Sequence, residues 1–92
     1  MREFVTEQYI AASGAEEALA CAHSARRAAD QLSGEGMPVE FVRSIFIPED
    51  ETCILVYRAI SIDVVRAAAA RASLRLDRVA EAVIWESARG PQ

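Results

Sequence analysis

The chain has 92 residues, 52% of them hydrophobic, and a formal net charge of −4. That length supports one modest core, and that apolar content excludes a disordered tail. The acidic balance, with arginine as the only basic residue besides His23 and no basic cluster, argues against sequence-independent nucleic-acid binding, and no apolar run is long enough to span a bilayer.

The opening stretch, MREFVTEQYI, lacks the basic-then-apolar pattern of a secretory signal, so a cytoplasmic location is expected. Cys21 and Cys53 fall in different elements without close spacing, which favours reduced, buried thiols over a disulfide. Residues 1–92 read as a single domain, with 87–92 as a frayed tail.

Residues 2–10 have strand composition and rough alternation, with Phe4, Thr6 and Gln8 on one face and Val5, Glu7 and Tyr9 on the other. Ser13-Gly14-Ala15-Glu16 reads as a capping box opening a helix that stops at Ser33-Gly34-Glu35-Gly36. The helix's apolar stripe (Ala18, Ala22, Ala25, Ala29, Leu32) is nearly all alanine, so it can sit close to a sheet. Residues 39–47 and 52–59 are rich in Val, Ile, Phe, Tyr and Thr and flank Pro48-Glu49-Asp50-Glu51, the pattern of a β-hairpin. Ser61 then caps a second helix over 62–72, whose buried stripe is Ile62, Val65, Ala68, Ala69 and Ala72. A last strand is expected over 78–86.

The order β-α-β-β-α-β predicts an α+β, ferredoxin-like βαββαβ fold: a four-stranded antiparallel sheet with two helices on one face. Phe4, Val42, Ser44, Phe46, Ile54, Val56, Ala80 and Ala82 are expected under the helices. The opposite face would carry Val5, Tyr9, Val39, Phe41, Ile45, Leu55, Val79, Val83 and Trp85. It is too apolar to be left in water, so a second copy is expected to cover it. The expected assembly is a homodimer with sheets face to face, a dimeric α/β-barrel-like arrangement.

Glu7, Arg43 and Glu81 interrupt that apolar surface, with Cys53 and Tyr57 placed beside Arg43. Glu7 and Glu81 on neighbouring strands would form a carboxylate pair of raised proton affinity. Arg43 with Tyr57 would hold an anion, or Arg43 would neutralise the carboxylates as a structural ion pair. The candidate ligand-binding residues are therefore Glu7, Arg43, Cys53, Tyr57 and Glu81. No catalytic residue is assigned. The one histidine, His23, lies on the solvated side of its helix, and no metal-ligand spacing or identifiable cofactor motif is present.

Several segments resemble a family of small, mostly uncharacterised bacterial ferredoxin-like domains that includes a nickel-binding member. They are Phe4-Val5-Thr6-Glu7, Val42-Arg43-Ser44, Cys53, Val65-Arg66 and Asp77-Arg78-Val79. The resemblance implies a dimeric α/β fold and, in one branch, metal binding through His and Glu. This chain has Arg43 and Ala67 to Ala70 where relatives carry histidines, which leaves Glu7, Cys53 and Glu81 as partial ligands beside a permanent cation. The functional expectation is a cytoplasmic homodimeric binding module holding a small ligand between its sheets, with an anion favoured over a metal such as nickel. The alternative is a cofactor-free isomerase or monooxygenase of the dimeric α/β-barrel type, using Glu7, Glu81 and Tyr57.

Overall fold

The structure is a computed structural model, and it describes residues 1–87. The elements follow the expected order: β1 (Arg2–Tyr9), α1 (Ala15–Gly34), β2 (Val39–Ile47), β3 (Thr52–Ala59), α2 (Ile62–Arg71) and β4 (Arg78–Ala82), with a 3-10 turn at Pro48–Asp50 closing the hairpin. All strand pairs are antiparallel, in the order β2-β3-β1-β4. This is the ferredoxin-like arrangement. Apart from Ser87, the expected frayed tail lies outside the described residues.

The barrel-like assembly is corrected. The four strands form an open sheet whose edges are β2 and β4, and it does not close into a barrel. Closure would require the two edge strands to pair across a tilted, staggered ring. Here β1 and β3 separate them, and β4 pairs over only five residues.

Between helices and sheet lies a core in which the sheet supplies the volume. The helices contribute Ala18, Ala25, Ala28, Ala29, Ala68 and Ala69, with Leu32, Val64 and Val65 as their larger members. Short alanine side chains let the helix backbones approach, and bulky strand residues fill what remains. Those residues are Phe4, Leu55 and Tyr57, each at most 1% exposed.

That demand for volume decides which side of β3 faces inward. Cys53, Leu55, Tyr57 and Ala59 are buried with Phe4 and Thr6, because the register sets Tyr57 opposite Phe4 and Leu55 opposite Thr6. The expected facing of β3, with Ile54 and Val56 inward, is reversed. On β2 a bulge between Phe41 and Arg43 changes parity in mid-strand. Val39 and Phe41 pack against the core before it and Phe46 after it, whereas Val42, Arg43 and Ile45 look the other way. β4 is reversed as well: Val79 packs against the core, and Ala80 pairs with Val5 of the open face.

Helix α1 begins on Gly14 rather than on a Ser13 capping box, with no side-chain cap bond. A Cβ at position 14 would lie 2.5 Å from Ile10 Cγ2, so only glycine fits where the chain turns over that buried side chain. The Glu51 carboxylate ties down the same turn, accepting from the Ala12 amide at 2.9 Å. Ser61 does cap α2, its hydroxyl accepting from the Val64 amide at 3.4 Å.

Candidate functional site

The face of the sheet away from the helices is a shallow concavity with an aliphatic floor. Alternation turns Val5 of β1 and Ile54 and Val56 of β3 to this side, and the bulge adds Val42 and Ile45 of β2. The hollow measures about 330 Å³, near the lower end of the range for small-molecule sites, roughly 300–1,000 Å³. Its charged groups sit at the rim: Glu3, Arg43, Arg58 and Glu86.

Part of the cover comes from the chain itself. Strand pairing ends at Ala82, opposite Glu3, and residues 83–87 continue beyond the strand. They cross from the β4 edge toward the far edge, where Arg43 Nη2 donates to Glu86 Oε2 at 3.4 Å. Ile84 and Glu86 line the hollow, while Val83 and Trp85 are 96% and 83% exposed. Val56, under this strap, is only 5% exposed.

The five sequence candidates are not brought together. Glu7 and Arg43 lie on the open face, but each has its own partner: Arg78 Nη1 donates to Glu7 Oε2 at 3.1 Å, and Arg43 holds Glu86. Glu81 pairs in register with Phe4, and thus on the opposite side from Glu7, where Arg2 Nη1 donates to it at 3.2 Å. The expected Glu7–Glu81 carboxylate pair therefore does not exist. Cys53 and Tyr57 are fully buried beneath the helices. Burial pushes the Cys53 thiol up from its usual pKa, partly offset by its contact with the Ser44 hydroxyl, and pushes the Tyr57 phenol up to about 12. The acid–base constellation of Glu7, Glu81 and Tyr57 is split between two faces and the interior.

Arg58 was the signal that could have corrected the facing. A charged side chain inside an apolar strand marks the wetter side, and Arg58 shares parity with Ile54 and Val56. The strap had no comparable signal, because the alternation of Val83, Ile84, Trp85 and Glu86 reads as more strand.

A second, polar hollow of about 420 Å³ opens at the end of β1, lined by Gln8, Tyr9, Glu17, Cys21 and the 73–77 loop. Gln8 Nε2 donates to Cys21 Sγ at 3.4 Å, and its buried Oε1 has no hydrogen-bond partner among the described residues. Among the described residues, no three His, Cys, Asp or Glu side chains converge as a metal site would require. Nor do Glu7, Cys53 and Glu81 share a face, so the residues present do not fit the nickel site that the family resemblance implies.

Fold and face together define a ferredoxin-like α+β protein with an open apolar sheet. The chain is similar in fold to SCO4226 from Streptomyces coelicolor A3(2), known from a crystal structure, with a TM-score of 0.68 and 19% sequence identity over 91% of this chain and 99% of that one. No family model matches the chain, and no curated protein matches it. No helix among the described residues is long and apolar enough to cross a membrane.

Proposed function

We propose that the protein is a small cytoplasmic binding module that works as a homodimer, with the open sheet faces of two copies stacked and a small ligand held in the hollow between sheet and strap. The observation that carries this reading is the aliphatic floor of Val5, Val42, Ile45, Ile54 and Val56, ringed by charge only at its rim. Adjacent to it, Val83 and Trp85 stand out in water. Ile45, Val83 and Trp85 remain exposed on this side of the molecule, and an isologous contact is the simplest cover for them.

Sedimentation equilibrium at micromolar concentration tests the assembly. The mass of two chains is expected, together with a blue shift of the emission of Trp85, the only tryptophan, as the dimer forms. Ile45→Glu places a charge on the exposed edge of the floor and is expected to return the mass to one chain without unfolding it. A wild-type mass of one chain sinks the proposal, as does a dimer in which Trp85 emission stays water-like.

A further inference from the structure

We infer that the ligand of this face is an amphipathic monocarboxylate, a carboxylate on an aliphatic tail, and that Glu86 of the strap holds the carboxylate's place on Arg43 when it is absent. The inference rests on the binding-module reading and adds the chemistry of the occupant. The strap itself displays that chemistry: Ile84 places a branched aliphatic group over the floor, and two residues on, Glu86 places a carboxylate on Arg43. One segment of this chain thus presents both kinds of group, an aliphatic side chain lining the apolar hollow and a carboxylate on the cationic rim.

The charges at the rim favour an anion over a cation. Arg58 has neighbours supplied by the sheet, Glu3 opposite it on β1 and Glu40 on β2 at 3.8 Å. The carboxylate on Arg43 comes from outside the sheet, on a segment beyond the last strand pairing. Replacing Glu86 with a ligand carboxylate leaves the strand-borne Arg43 paired throughout. A cation replacing Arg43 on Glu86 would leave Arg43 uncompensated beside it. Glu86 and Arg43 are both more than half exposed, so their pairing is weak enough for a ligand with its own apolar tail to displace.

Calorimetric titration of the full chain with octanoate, octan-1-ol and octylamine tests the assignment. Octanoate is expected to bind about tenfold more tightly than octan-1-ol, from one charge-assisted contact, and octylamine more weakly than either. Arg43→Leu should bring octanoate down to the level of octan-1-ol. Glu86→Gln, which removes the internal competitor, should tighten octanoate about two- to fivefold and leave octan-1-ol unchanged. Equal binding of octanoate and octan-1-ol overturns the carboxylate assignment while leaving an apolar ligand site in place. Glu86→Gln weakening octanoate overturns the strap's role. If none of the three probes binds a confirmed dimer, the ligand-binding reading falls with the inference.

Discussion

At the scale of single residues, Tyr57 shows what the alanine-rich helices demand of the sheet. Among the described residues it is the largest fully buried side chain, edge-on to Phe41 with ring centroids 5.7 Å apart, and its hydroxyl finds no hydrogen-bond partner among them. The ring is held for its volume, and the hydroxyl comes at a cost. Burial raises the phenol from 10.0 to about 12. Its folded pKa therefore lies above its unfolded one, and the unfolded chain loses this proton first as pH rises. Stability is unaffected below pH 10.0 and falls as pH climbs toward about 12, by about 2–3 kcal/mol in all. A spectrophotometric titration should show the exposed Tyr9 ionising first and the Tyr57 phenolate appearing only as the protein unfolds. Tyr57→Phe should abolish that alkaline loss and raise stability at neutral pH by about 1 kcal/mol. Denaturant melts at pH 7 and pH 11 check both, and a variant less stable than the wild type at pH 7 contradicts the orphaned-hydroxyl account. The sequence marked Tyr57 as important and misjudged its direction, because both faces of β3 are apolar and hydrophobicity alone does not orient it. Volume and charge together do: Tyr57 fills space under alanine that Val56 could not, and Arg58 marks the side of Ile54 and Val56 as the wetter one.

At the scale of elements, the two helices end in the same way on different residues. After α1, Gly36 takes φ +93° while the Met37 amide donates to the Leu32 carbonyl and the Gly36 amide to that of Ser33. After α2, Ser73 takes φ 59° while the Leu74 amide donates to Ala69 and the Ser73 amide to Ala70. Both are Schellman ends, but only one uses glycine. A β-carbon in the left-handed region costs roughly 1–2 kcal/mol, so Ser73→Gly is expected to stabilise the protein by about 1 kcal/mol, less the added entropy of the unfolded chain. Gly36→Ala should destabilise it by a similar amount. Thermal melts of the two variants check this, and a Ser73→Gly protein melting below the wild type contradicts it. The Gly36 stop, the Ser61 cap and both strands of the hairpin were legible, since each rests on local chemistry. The features that mislead are set by distant contacts. Gly14 displaces Ser13 because Ile10 lies beneath it, the β2 bulge reverses parity within an apolar run, and β4 stops at Ala82 although its alternation continues. The candidate site inherited those errors, because membership of a face is a matter of parity.

At the scale of the whole molecule, the fold buries one side of the sheet and leaves the other to be finished by something else. Helices α1 and α2 cover the side holding Phe4, Leu55 and Tyr57, while the strap crosses the other side and leaves Ile45 42% and Trp85 83% exposed. If a second copy completes that side, dimerisation is part of the folding free energy, and stability must depend on protein concentration. Each tenfold increase in concentration adds about 1.4 kcal/mol per dimer. For a dimer of two such chains, that corresponds to a rise in Tm of roughly 3–4 °C. Ile45→Glu should remove the concentration dependence altogether and lower Tm at high concentration, while its Tm at the lowest concentration approaches that of the dissociated wild type. Calorimetric scans across two decades of concentration decide the matter. A wild-type Tm that does not move would mean the open face is stable in water by itself, and the apolar floor would then have no second copy to answer for it.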